Sequence, residues 1–123
     1  MYSAVILMGT MVHRHPLDPL YERLAEMFQA LANPGRLHIV RCVSEREKSV
    51  SEILACKAFD GVPQSTVSQH LAALRQQGLL KARRSGRNVY YSLSDPAVAQ
   101  SLAIMGDLIE KRFAQVRDIS KTL

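Results

Sequence analysis

The stretch Pro63-Gln64-Ser65-Thr66-Val67-Ser68-Gln69-His70-Leu71-Ala72-Ala73-Leu74-Arg75-Gln76-Gln77-Gly78 decides how this chain is read. Val67, Leu71 and Leu74 recur at i, i+4 and i+7, a single apolar stripe on a helix, while Gln64, Ser65, Ser68, Gln69 and Gln76 share the opposite face. That polar face carries no carboxylate. Hydroxyl and amide side chains at a helix N-terminus both donate and accept hydrogen bonds and do not repel an anion, so they suit base edges and phosphates.

Charge points the same way. Between Asp60 and Asp95 there is no acid, yet Arg75, Lys81, Arg83, Arg84 and Arg87 all fall in that interval. These five bases equal the net charge of +5 for the whole chain; the other eleven bases balance the eleven acids. Excess positive charge gathered on one segment is the footprint of a polyanionic partner. A solvated basic face is the plainer reading of the same charges.

Working outward, the period changes after Gly78. Leu80, Ala82 and Arg84 alternate with Lys81 and Arg83, and Val89, Tyr91 and Leu93 alternate with Tyr90 and Ser92. Period two on both sides of Ser85-Gly86 predicts a two-stranded hairpin with its tip at Arg84 to Arg87. A basic hairpin directly after a polar reading helix is the pattern of a wing.

Upstream, Asp18-Pro19 and Asn33-Pro34 each place an N-cap side chain before a proline at the first helical position, where the missing N–H costs nothing. The first helix carries Leu20, Leu24, Met27, Phe28 and Leu31; the second shows Leu37, Val40 and Val43 on one face with Ile39 at its edge. Ser49 to Glu52 reads as a capping box opening a third helix through about Lys57, and Asp60-Gly61 ends the connection to the helix at Gln64. Downstream, Asp95-Pro96 repeats the cap for a last helix. Its Val98, Leu102, Met105, Ile109, Val116 and Ile119 form a near-heptad seam interrupted at Arg112.

A chain of 123 residues with 47% apolar content is expected to form one globular domain, here residues 17–120, behind a loose arm at 1–16. The fold class expected is mainly α with a two-stranded β-wing, a winged helix-turn-helix, dimeric through its first and last helices (Leu20, Leu24, Val98, Leu102, Met105 and Ile109). No apolar run reaches the ~18 residues of a membrane span. Two cysteines are too few for a disulfide scaffold and point to a reducing, cytoplasmic setting. Nothing resembles a Gly-rich phosphate loop, a His-Glu metal helix or a Cys-His pairing, so no enzyme class is indicated.

Taken together, Ala32-Asn33-Pro34-Gly35-Arg36-Leu37, Val50-Ser51-Glu52-Ile53, Gln64 to Arg75, Gly78-Leu79 and Gly86-Arg87-Asn88-Val89-Tyr90-Tyr91-Ser92-Leu93 resemble the ArsR/SmtB family of winged-helix transcriptional repressors over about residues 20–110. The resemblance implies a homodimer that binds double-stranded operator DNA of inverted symmetry and lets go when an effector binds. It places base reading at Gln64, Ser65, Ser68 and Gln69 and wing contacts at Arg84 and Arg87; Thr66, His70, Arg75 and Arg83, in the same acid-free stretch, are expected DNA contacts as well, with His70 facing DNA or the wing. The alternative is a winged-helix module that meets an acidic protein surface.

The resemblance is weaker at the sensing sites. Where metal-sensing relatives carry third-helix cysteines, Ser49 and Ser51 stand here, and hydroxyls are poor ligands for soft metals. Zinc-sensing relatives use Asp and His on the last helix; this chain has Asp95, Asp107 and Glu110 but no His after position 70. Relatives that sense sulfide or oxidants pair a second-helix cysteine with one on the last helix. Cys42 lies one residue beyond the first such position, and the last helix has no cysteine. Cys56 adjoins a connection, Lys57 to Val62, longer than the family usually has. For both cysteines the default is a packed thiol; the sharper reading is a thiol switch or a site for a metal or metalloid ion, completed within the chain or across a dimer. No cofactor is otherwise indicated. His13 and His15 form an isolated His-x-His in the arm, and His38 is expected in solvent.

Overall fold

A computed structural model describes residues 19–122 of the chain. The arm, with His13 and His15, and the expected cap Asp18 lie outside the described residues. Helix α1 spans Pro19–Leu31 and α2 Pro34–Glu45; a two-residue strand β1 (Lys48–Ser49) leads into α3 (Val50–Leu54) and a 3-10 turn (Lys57–Phe59). Then come α4 (Gln64–Gln76), β2 (Leu80–Ser85), β3 (Asn88–Leu93) and the long α5 (Ala97–Thr122).

Local chemistry accounts for most of these boundaries. Asn33 sits in extended backbone, and its Oδ1 accepts the N–H of Arg36 at 3.2 Å, with Pro34 opening α2. At α3 the capping box is complete: Ser49 Oγ accepts from Glu52 N and Glu52 Oε1 accepts from Ser49 N. Helix α4 closes with the N–H of Leu79 on Leu74 O and that of Gly78 on Arg75 O, a Schellman arrangement. Gly78 takes φ +73° there, a conformation that costs any side chain. Before α5, Asp95 Oδ1 accepts from Ala97 N at 2.8 Å.

The core joins α2, α3, α4 and the start of the wing. Ile39, Val40, Ile53, Val67, Leu71 and Leu74 are essentially fully buried, with Val43, Phe59, Leu79 and Leu80 around them. The Val67/Leu71/Leu74 stripe is thus the inner face of α4, as its spacing predicts. On α2 the expected face is corrected: Ile39 is in the core while Leu37 is 39% exposed. Ile39 sits one turn before Val43, and the two point inward with Val40; Leu37 instead lines a groove shared with α5.

One further expectation is corrected, and one short strand is added to the expected hairpin. Helix α3 ends at Leu54, because Cys56 turns to extended backbone and the 3-10 turn then drives Phe59 into the core. The sheet has three strands in the order β1-β3-β2, since Lys48 and Ser49 pair antiparallel with Tyr91 and Tyr90. The expected hairpin is its larger part, in register from Leu80↔Leu93 to Ser85↔Asn88.

Helix α5 joins the core only at its beginning, through Val98 and Leu102. Met105, Leu108, Ile109, Phe113, Val116 and Ile119 are more than half exposed in the single chain. Leu20 and Leu24, the α1 half of the expected interface, are half-buried. Among the described residues no helix is long and apolar enough to cross a membrane.

Candidate nucleic-acid interface

With its apolar stripe in the core, α4 turns Gln64, Ser65, Ser68 and Gln69 to solvent, with Thr66 half-buried beside them. Arg75 at the other end of the helix is exposed too. Beyond the Schellman turn the hairpin carries Arg84 and Arg87 to its tip, both exposed and without an ion-pair partner among the described residues. The fold therefore presents one helix face and one hairpin tip, cationic and free of carboxylates in their own sequence. Such a surface can neutralise phosphates through its bases and offer amides and hydroxyls to base edges.

Two of the residues expected to face DNA are engaged elsewhere. The His70 ring turns toward the N-terminus of α2, where Arg36 Nε donates to its Nδ1 at 3.2 Å. A Cβ on Gly35 would stand 3.0 Å from His70 Nε2, so glycine is what lets α2 approach the ring this closely. Burial and the neighbouring guanidinium both hold His70 below the ordinary imidazole pKa. Arg36 also donates to Ala30 O, so one side chain fastens the end of α1 and the middle of α4 to α2. His70 is therefore a helix-packing residue, because its position 70 lies at the flank of the stripe and not on the outward face.

Arg83 is the second. Its Nε and Nη2 grip the Glu47 carboxylate at 3.2 and 2.5 Å, and its guanidinium carbon stands 5.0 Å from the centre of the Tyr90 ring. The fork holds Glu47 below the usual carboxylate range. Arg83, expected as a DNA contact, is thus paired with an acid that precedes β1, a partner 36 residues away that spacing does not reveal.

The two cysteines, far apart in the chain, meet. Cys42 Sγ of α2 lies 2.6 Å from Cys56 Sγ at the head of the 3-10 turn, both half-buried, and Cys56 also donates toward Glu52 O at 3.7 Å. Burial, then the adjacent Cys56, push the Cys42 thiol up to about 11. The contact forms within one chain.

The positions matching the family's metal sites are otherwise occupied. Ser49 caps α3 and Glu52 is paired with Arg46 at 2.6 Å. Asp95 caps α5, and Asp107 pairs with Lys111 at 3.0 Å. Among the described residues no three His, Cys, Asp or Glu side chains come together as a metal cluster.

A model of the bacterial regulatory protein, arsR family, matches residues 33–82, from the cap of α2 to the first residues of the wing. Over 106 residues the chain is 36% identical to an HTH-type transcriptional regulator of Mycobacterium tuberculosis, Rv0081, covering 83% of this chain and 91% of that one. The chain belongs to the arsR family. The crystal structure of Rv0081 superimposes with a TM-score of 0.71, covering 80% of this chain and 96% of the other at 36% identity. A solution structure of the homodimeric winged helix-turn-helix DNA-binding domain of Mb0332 from Mycobacterium bovis does so with a TM-score of 0.71 at 28% identity, covering 84% and 94%. A transcriptional repressor SmtB homolog from Synechocystis is 39% identical over 90 residues, 73% of this chain and 66% of that one. Like its family, the protein is a helix-turn-helix transcriptional regulator and not an enzyme.

Proposed function

We propose that this arsR-family regulator acts as a homodimeric repressor, reading a two-fold-symmetric operator with α4 and bracing on the phosphates with the tip of the wing. The observation that carries the reading is the outward face of α4: Gln64, Ser65, Ser68 and Gln69 are exposed together and contain no acid, while the apolar residues of the same helix are buried. Gln69 and Gln64 offer paired donors and acceptors to base edges, Ser65, Thr66 and Ser68 offer hydroxyls to bases or phosphates, and Arg84, Arg87 and Arg75 meet the backbone. Two such helices enter successive major grooves about 34 Å apart.

The second copy is supported by the apolar side of α5. Met105 and Ile109 are exposed and continue the line of Val98 and Leu102, which pack on the core. A helix with this much apolar surface is covered in a stable protein, and α5 of a second copy, together with Leu20 and Leu24 of α1, is the matching surface. A regulator of chromosomal DNA works in the cytoplasm of a bacterial cell.

The test is fluorescence anisotropy with the duplex upstream of the regulator's own gene and a scrambled duplex. Gln69→Ala is expected to weaken operator binding by about 1–3 kcal/mol and leave the scrambled duplex nearly untouched. Equal losses on both duplexes would remove α4 from the reading role. Displacement of the protein by heparin, with no displacement by DNA, would favour an acidic protein surface as the partner.

A further inference from the structure

The pair Cys42 and Cys56 has no part in the DNA-reading surface and matches no sensing site that the family resemblance implies. We propose that it is an intrachain dithiol site that hydrogen peroxide oxidises to a disulfide. The geometry is the ground: two sulfurs on separate elements, α2 and the head of the 3-10 turn, stand 2.6 Å apart. A disulfide bond is ~2.05 Å long, so closing it asks the sulfurs to approach by about 0.5 Å. Both side chains are only half-buried, leaving a route for a molecule as small as a peroxide.

The order of attack follows from the surroundings. Burial and then the neighbouring sulfur hold the Cys42 thiol protonated, and only the Lys48 ammonium works in the other direction. The first attack is assigned to Cys56, which stands at the head of the 3-10 turn outside a regular helix. Its thiolate attacks one peroxide oxygen, the O–O bond breaks, and the departing hydroxide takes a proton to become water, leaving Cys56 as a sulfenic acid. The Cys42 sulfur then attacks the Cys56 sulfur, the S–S bond forms and the S–O bond breaks. The second hydroxide carries off the Cys42 proton as water. Two thiols and one peroxide give one disulfide and two waters, and a dithiol reductant reverses the change.

The bond closes a loop that contains the end of α2, β1 and all of α3. Restricting that loop in the unfolded chain raises the melting temperature of the oxidised protein above that of the reduced one.

The experiment treats the full-length reduced protein with hydrogen peroxide near stoichiometry. Free thiols are then counted, the intact mass is measured, and non-reducing electrophoresis and thermal melting follow. Wild type is expected to lose both thiols and two hydrogens in mass, to run as a single uncrosslinked chain, to melt higher, and to recover with dithiothreitol. Cys42→Ser is expected to stop at a sulfenic acid captured by dimedone, and Cys56→Ser to react at least tenfold more slowly. Retention of both thiols in wild type, or disulfides only between chains, overturns the proposal. So does a Cys56→Ser variant that reacts as fast as Cys42→Ser. Arsenite captured by both thiols of a protein that peroxide leaves reduced would reassign the pair to a metalloid and overturn the redox reading. None of these readouts involves DNA, so they stand or fall apart from the proposed operator binding.

Discussion

Replacing Arg87 by Ala tests the wing through a quantity that follows from charge alone. Arg87 is exposed in the two-residue turn between Ser85 and Asn88 and has no ion-pair partner among the described residues, so its full charge is available to a phosphate. Each phosphate neutralised on duplex DNA contributes about 0.9 to the slope of log affinity against log salt, and a dimer carries two wings. Removing both arginines should lower that slope by about 1.8. If the non-electrostatic part is referred to ~1 M salt, the same change makes binding about 60-fold weaker at ~0.1 M. Anisotropy titrations at four or five salt concentrations, on operator and on scrambled duplex, measure slope and affinity together. The losses should be equal on both duplexes, because a phosphate contact carries no sequence information. The charge-neutral double replacement Arg83→Gln with Glu47→Gln serves as the control and should leave the slope unchanged, since that pair is already mutually neutralised. An undiminished slope for Arg87→Ala, or a loss confined to the operator, would refute the assignment of the tip to the phosphate backbone.

Other expectations follow from the way α4 is held. Leu71→Ala empties a site that is 1% exposed at the centre of the core and should cost about 2–5 kcal/mol, read from urea unfolding; a loss below 1 kcal/mol would mean the stripe is not the anchor of α4. The His70 site disfavours the charged imidazole, so the folded protein binds its proton less readily than the unfolded chain does. Its contribution should be intact above about pH 6.5, the ordinary imidazole value, and decline as the pH falls below it. Urea midpoints of wild type against His70→Gln between about pH 7.5 and 5 measure this, and identical pH dependence in the two would contradict the placement of the ring beside Arg36.

Much of the architecture was legible because its determinants are local. Asn33-Pro34, Ser49 with Glu52, and Asp95-Pro96 mark helix starts through bonds that span three residues or fewer, and the cap bonds are present where those residues stand. The α4 stripe and the alternation of the hairpin survive for the same reason: a continuous run of residues shows its own period. Beta strand β1 did not, since two residues have no period, and their pairing with Tyr90 and Tyr91 is visible only in space. The burial of Ile39 in place of Leu37 depends on which neighbours α2 meets, not on spacing within it.

For the site, the division runs between residues that act alone and those that act in pairs. The exposure of the amides and hydroxyls of α4 and of Arg84 and Arg87 at the wing tip follows from each residue's own position. The orientation of His70 and Arg83 does not, because each is redirected by a partner more than thirty residues away. Cys42 and Cys56 were conspicuous as residues, but their contact is a property of how α2 packs against the 3-10 turn.

The short strand β1 sets where the wing can point. Lys48 and Ser49 clamp β3 at its middle, and the very next residue begins α3, so the sheet is stitched to the scaffold that also carries the reading helix. The angle between hairpin and helix is therefore set by those two rungs together with the burial of Leu79 and Leu80 between them. Lengthening the chain by one residue between Glu47 and Lys48 would shift those rungs and move Arg84 and Arg87 relative to α4 without changing either side chain.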